Sequence, residues 1–322
     1  MFATCEYELL DFGNGRKLER FGPLLVERPC PAAMVPPRNG QAWGRADILF
    51  TGTAGEKKSG GNPERGHWQV RTATGRHFFP DRSSAGESDS ALPPEWLVRH
   101  GHSEFVLRLQ GSPFGHLGIF PEQSENWDTV YDWCQRFAKV QNRPARVLNL
   151  FAYTGGTTLA AMAGGAEVTH VDAAKNIVSR AKANAVLSFP ERSARWIAED
   201  AVRFAAREVK RESFYDAIVL DPPTYGHGAR GEVWRFQRDL PKLLALCQDL
   251  LRGPDPFLLL TCHVTDLTPI RLAYLLNESL AALRLRLGLK SIVATEMSIR
   301  SACGEKLPAG LRVLLTHPNK PA

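Results

Sequence analysis

The chain has no run of eighteen consecutive apolar residues, so no segment of it is predicted to cross a bilayer as a helix. Its first residues, Met1-Phe2-Ala3-Thr4-Cys5-Glu6, lack the basic stretch followed by an apolar one that marks a secretory leader, and a cytoplasmic protein with no membrane partner is expected. Cysteine is sparse: Cys5, Cys30, Cys134, Cys247, Cys262 and Cys303 are scattered singly among 322 residues. That spacing supports neither a zinc site nor a disulfide framework, so the six read as reduced thiols and no metal is expected. No repeat of solenoid length occurs. Charge excess is small as well, 40 Lys and Arg against 34 Asp and Glu, a net of +6. This is compatible with a polyanionic partner but far below the charge density of a ribosomal protein.

What is present is a globular composition, 43% hydrophobic and 23% charged, in a chain long enough for two domains. Cys5 to Glu27 reads as short strands, with Asp11-Phe12-Gly13-Asn14-Gly15 supplying a hairpin turn. Pro29 to Gly44, Thr53 to Gly66 and Asp81 to Pro94 are rich in Pro, Gly, Ser and charge, which predicts exposed loops. The alternation Glu104 to Leu109 predicts a half-buried strand. Asn126 is placed to cap a helix from Trp127 to Lys139, with Trp127, Val130, Tyr131, Cys134 and Phe137 at helical spacing. The predicted organisation is a mostly β domain with long loops over 1–125, a linker helix over 126–144 and a second domain over 145–322.

From Ala145 onward buried strands alternate with amphipathic helices, the pattern of βαβ units on a parallel sheet. Strands are predicted over Arg146 to Phe151, Glu167 to Asp172, Arg195 to Glu199, Tyr215 to Asp221 and Pro256 to Thr261. Helices are predicted over Thr157 to Ala163, Ala174 to Leu187, Ala201 to Glu212, Trp234 to Leu251 and Pro269 to Leu283, with Ser291 to Ser298 and Leu311 to Thr316 as closing strands.

In such a sheet ligands sit outside the carboxyl ends of the strands, where strand order reverses. The first strand ends in Asn149-Leu150-Phe151-Ala152-Tyr153-Thr154-Gly155-Gly156, whose two glycines would let a ligand approach the backbone. The second ends at Asp172, where a carboxylate can accept both hydroxyls of a ribose. The third ends at Glu199-Asp200, an acceptor for an adenine amine. Asp172 before Ala173 and Asp200 before Ala201 also suit helix caps; three successive strand ends with suitable groups favour a nucleoside pocket. The fourth ends in Asp221-Pro222-Pro223-Thr224-Tyr225, where two prolines stiffen the loop and present Asp221 and nearby carbonyls to a substrate.

Val147 to Gly156, Val171-Asp172, Asp200 and Asp221-Pro222-Pro223 together resemble the class I methyltransferases that modify bases of large-subunit ribosomal RNA, and Leu117 to Gln123 resembles that family's segment before the catalytic domain. The resemblance covers roughly Phe105 to Thr316. It implies a Rossmann-like doubly wound α/β sheet with a smaller, mostly β N-terminal domain, and S-adenosylmethionine as cofactor. Its amino-acid end is expected near Tyr153, Thr154, Gly155 and Gly156, its ribose at Asp172 and Ala173, and its adenine near Asp200 and Ala201. Asn149 and Phe151 would line the pocket, and Phe120 and Gln123 would close it from the other side. The first hundred residues show no recognisable RNA-binding module.

The acceptor chemistry divides in two. Carbon 5 of cytosine needs a thiolate, for which Cys262, at the end of the fifth strand, is the candidate; a small buried filler is the other reading. A base nitrogen needs only hydrogen bonds from Asp221 or the carbonyls after it and an aromatic face, for which Tyr225 is placed. Arg235, Arg238 and Lys242, spaced by three and four, would share a helix face near that loop and suit RNA phosphates. Arg203, Arg207, Lys210 and Arg211 read as a solvated face. A nicotinamide dehydrogenase would show a denser glycine fingerprint, and a non-catalytic RNA-binding module would not need the cofactor.

Overall fold

Asn14 and Gly15 both hold left-handed backbone, with φ of 50° and 74°, which is what a two-residue hairpin loop requires and which Asn and Gly tolerate best. They join β1 (Tyr7–Gly13) to β2 (Arg16–Phe21) in an antiparallel pair. The computed structural model describes residues 2–3, 6–52, 66–71, 77–78, 96–227, 231–264 and 267–317. Cys5 and the predicted loops over Thr53 to Gly66 and Asp81 to Pro94, apart from Gly66 itself, lie outside the described residues.

The sheet continues through β3 (Leu24–Pro29), a one-turn helix α1 (Gly40–Trp43), β4 (Ile48–Gly52), β5 (Gly66–Arg71) and β6 (His77–Phe78), in the order β1-β2-β3-β4-β5-β6. A separate antiparallel pair joins β7 (Leu97–Arg99) to β8 (Val106–Arg108), and β8 takes up the middle of the predicted Glu104 to Leu109 strand. These elements belong to one compact unit, Met1–Ser124 with Ser298–Pro308, which is mostly strand as expected.

Its interior carries an ion cluster. Glu19 is fully buried and takes Arg28 at 2.5 Å, Lys17 at 2.9 Å and the Tyr7 hydroxyl at 3.0 Å. Burial by itself would raise the Glu19 pKa; Arg28 and Lys17 outweigh it and lower the carboxyl from 4.5 to about 2. A buried charge that loses its partners is left uncompensated, so Glu19→Ala should cost about 3–5 kcal/mol in urea unfolding at neutral pH. Because the folded-state pKa is depressed, the Glu19 contribution is complete above pH 4.5 and disappears as the pH falls towards about 2. A variant whose stability deficit against the wild type is the same at pH 3 as at pH 7 would contradict this.

The second unit, Glu125–Met297 with Ala309–Ala322, holds the parallel sheet. It opens with α2 (Ser124–Gln141), preceded by a 3-10 turn at Pro121–Gln123. Asn126 is therefore inside the helix, buried, with its amide donating to Met297 Sδ, and does not cap it. Nor is α2 a free linker. Trp133 is buried with its ring 5.0 Å from that of Phe257 on the sheet.

There follow β9 (Arg146–Leu150), α3 (Gly156–Ala163), β10 (Glu167–Asp172), α4 (Lys175–Ser188), β11 (Arg195–Ala198), α5 (Ala201–Lys210) and β12 (Ala217–Leu220). After β12 come the short β13 (Tyr225–His227) and β14 (Val233–Arg235), α6 (Phe236–Leu250), β15 (Phe257–Cys262), α7 (Pro269–Ser279), α8 (Ala281–Arg286), β16 (Thr295–Arg300) and β17 (Lys306–Leu315). The sheet order is β11-β10-β9-β12-β15-β17-β16, parallel from β11 to β15, with β17 antiparallel to β15. Every residue of β12 and β15 is buried, as continuous apolar runs in a sheet covered on both faces should be. Strand order reverses between β9 and β12, the switch point at which a ligand is expected. The predicted helix over Pro269 to Leu283 is two helices, and the predicted Trp234 start of α6 is instead strand β14.

Candidate active site

The chain leaves β9 through three left-handed residues, Phe151 (φ 56°), Tyr153 (φ 48°) and Gly155 (φ 97°). Two of them are not glycine, and each such residue costs of order 1–3 kcal/mol unless its surroundings hold it. Asp172 does the holding. Its Oδ2 accepts from the Tyr153 amide at 3.0 Å and its Oδ1 from the Ala174 amide at 3.0 Å, while the Ala152 amide donates to the Val171 carbonyl. Burial raises the Asp172 pKa, and the two amides pull it back only in part. The residue at the cap of α4 is Ala174, which makes no side-chain cap bond, so the helix-cap reading of Asp172 does not apply.

The glycines serve packing. A Cβ on Gly155 would meet Ala181 of α4 at 3.2 Å, and one on Gly156 would lie 2.5 Å from the Trp127 ring of α2. Close approach of α4 and of the Trp127 ring gives both glycines a packing role. Two further residues expected to line the cofactor point into the core. Asn149 is buried and donates to Thr158 Oγ1 at 3.0 Å, which in turn lies 2.9 Å from His170 Nδ1. Thr154 is also buried, and its carbonyl accepts from Asn184 at 3.0 Å. Asp200 caps α5 through Oδ1, 2.9 Å from the Arg203 amide; its Oδ2 has no hydrogen-bond partner among the described residues. Ala201 is buried at the start of α5, and Ala173 is half-buried beside Asp172.

At the end of β12, Asp221 Oδ1 accepts from the Thr261 hydroxyl at 2.7 Å and lies 3.4 Å from His263 Nε2. Pro222 is buried, but the carbonyls expected to face a substrate are used internally: Pro223's takes the Trp234 indole N–H at 2.7 Å and Thr224's takes the Phe236 amide at 3.1 Å. Trp234 also packs on Phe151, ring centroids 4.9 Å apart, and so ties the Asp221 loop to the β9 loop. Tyr225 is 52% exposed and pairs with Arg235 in the β13-β14 ladder. Trp234 and His263 were missed from sequence as site residues. The run Thr261-Cys262-His263 at a strand end was the signal available for His263.

Cys262 is wholly buried, and its thiol is pushed up to about 12, chiefly by burial and further by Asp221. A nucleophilic cysteine needs the opposite shift. The proposed basic helix face also breaks up. Arg235 precedes α6 on β14, and Arg238 is held by Asp239 at 2.7 Å, leaving Arg235 and Lys242 as exposed cations with no ion pair among the described residues. On α5 and just after it, Arg203, Arg207 and Arg211 pair with Glu232, Glu199 and Glu208 at 2.7, 2.6 and 3.3 Å. In the first unit, Gln123 is buried and Phe120 packs on His116, 5.3 Å between rings. Among the described residues no group of three His, Cys, Asp or Glu could hold a metal, and no helix is long and apolar enough to cross a membrane.

Carboxylates at three strand ends around a switch point, with small residues Ala173 and Ala201 beside two of them, fit a nucleoside carrying hydroxyl and amine donors. Residues 108–278 match the S-adenosylmethionine-dependent methyltransferase family, and the chain belongs to it. The crystal structure of the SAM-dependent methyltransferase from Agrobacterium tumefaciens is 33% identical, with a TM-score of 0.77 over 97% of this chain and 90% of that one. SMU.776 complexed with SAH, 14% identical with a TM-score of 0.61 over 96% and 75%, shares the fold. Among curated proteins, the ribosomal RNA large subunit methyltransferase K/L of Hahella chejuensis is 35% identical over 55% of this chain and 23% of its own length. The ribosomal RNA large subunit methyltransferase I of Aeromonas hydrophila is 38% identical over 50% and 38%. The chain thus spans well under half of these two relatives.

Asp172→Ala should weaken S-adenosylmethionine binding by about 1.5–3 kcal/mol, the worth of a hydrogen bond to a charged acceptor. Calorimetry on a folded variant measures it, and unchanged affinity would remove Asp172 from the site. Since burial raises this carboxyl's pKa, wild-type affinity should fall on acidification in a window above the ordinary carboxylate range. Asp172→Asn should flatten that profile.

Proposed function

We propose that the chain transfers the methyl group of S-adenosylmethionine to a nitrogen of an RNA base, ribosomal RNA being the favoured acceptor, in the cytoplasm. Two curated relatives named as large-subunit ribosomal RNA methyltransferases support the substrate. The observation that carries the choice of atom is Cys262: its thiol is wholly buried and its pKa raised, the reverse of what a nucleophile for carbon 6 of cytosine requires.

The cofactor, when bound, supplies a methyl group already activated on sulfonium sulfur, so the protein's task is alignment and exclusion of water. Tyr153 to Gly156 hold its amino-acid end, Asp172 orients the ribose, and the free oxygen of Asp200 accepts from the adenine amine. Asp221, held by Thr261, accepts a hydrogen bond from the acceptor base and so aims its nitrogen. Tyr225 offers an exposed ring on which the flipped base stacks. Arg235 and Lys242 contact phosphates nearby, a smaller set than the sequence suggested.

Incubation with methyl-labelled cofactor and ribosomal RNA from a strain lacking the protein should label RNA. Label found only in small molecules or protein would defeat the reading. Cys262→Ala should retain turnover, lose about 1 kcal/mol of stability, and form no covalent complex with 5-fluorocytosine-containing RNA. A variant that is folded, binds cofactor and is inactive would instead favour carbon-5 chemistry.

A further inference from the structure

We propose that the second unit has another ligand site, at the opposite edge of the sheet from Asp172, that binds a phosphate group. Strands β9, β10 and β11 are parallel neighbours and begin with Arg146, Glu167 and Arg195. At about 3.3 Å per residue, Arg146 and Glu167, which are in register, lie roughly 16 Å along the strands from the Asp172 edge, and Arg195, in register with Thr169, roughly 10 Å. They border a cavity of about 640 Å³ that Arg192, Ser193 and Tyr215 also line. A volume of this order suits a nucleotide-sized ligand more than a lone ion.

Its cations are not spent on one another. The Arg146 guanidinium lies over the Tyr215 ring, 5.6 Å from the centroid, and has no hydrogen bond or ion pair among the described residues. The ring face fixes the planar group while leaving its N–H donors in the plane free. The Arg192 guanidinium, 5.5 Å from the Phe189 ring centroid, donates once, to the Met162 carbonyl at 2.6 Å, and has no carboxylate partner among the described residues. Arg195 is committed to Glu208 at 2.8 Å and contributes positive potential more than donors. Two guanidinium groups with donors to spare, on one cavity and preorganised by a ring and a carbonyl, match the tetrahedral oxygens of a phosphate. Glu167 is the opposing charge and sets the affinity below what three arginines alone would give.

Phosphate of this kind comes either from a free mononucleotide or from the backbone of RNA. Calorimetric titration of the full chain, with S-adenosylhomocysteine saturating, would use uridine 5′-monophosphate, uridine and an octauridylate with no terminal phosphate. Uridine 5′-monophosphate should bind more tightly than uridine, Arg146→Gln and Arg192→Gln should each weaken it about fivefold or more, and Glu167→Gln should tighten it. The gain with Glu167→Gln cannot come from misfolding. If the octamer shows the same arginine dependence, the source is RNA backbone; if only the monophosphate does, it is a terminal phosphate. Binding of both probes that is indifferent to all three substitutions, or no binding of either at millimolar concentration, would overturn the site.

Discussion

The Asp172 carboxylate is the joint on which the switch-point end of the sheet depends. Two non-glycine residues turn left-handed within three positions of the end of β9, and neither conformation is favoured for an L side chain. Asp172 takes the amide of the second of them and the amide that leads into α4, so one side chain joins the loop after β9 to the loop after β10. It does so while substantially buried, where its charge is disfavoured. An acceptor kept charged against burial is well suited to receive further donors, and ribose hydroxyls are donors of that kind.

A second joint mirrors it across the reversal of strand order. Trp234 donates to the Pro223 carbonyl and packs on Phe151, so the loop after β12 cannot move without the loop after β9. Thr261 at the end of β15 holds Asp221 in turn. Methyl transfer from a sulfonium asks mainly that donor and acceptor be kept in line, and these ties between neighbouring loops provide rigidity without catalytic acids or metals. The charged groups around the site are largely neutralised locally, as the pairs on α5 and the Arg238–Asp239 pair show.

Two edges of one parallel sheet then carry different chemistry. At the carboxyl edge the half-buried charged groups are acceptors, Asp172, Asp200 and Asp221. At the amino edge the cavity is lined by three arginines, with Glu167 on the lining and Glu208 behind Arg195 opposing them. Parallel strands present all their starts on one side and all their ends on the other, so side chains of one type at equivalent positions accumulate into a surface.

The α/β class and the order of strands and helices were legible in the sequence, because continuous apolar runs and helical periodicity are local patterns. So was the placing of Asp172 and Asp221 at the ends of parallel strands. What each group does there was not legible. Gly155 and Gly156 are approached by α4 and the Trp127 ring, and Asn149 faces the core because its partner, Thr158, lies on the helix packed behind the loop. The apparent stripe of Arg235, Arg238 and Lys242 dissolved because β14 pairs with β13 before α6 begins. Cys262 was ambiguous until its burial was known. Spacing along a chain determines which residues share an element; only the packing of that element against others decides whether a side chain meets solvent, a ligand or another side chain.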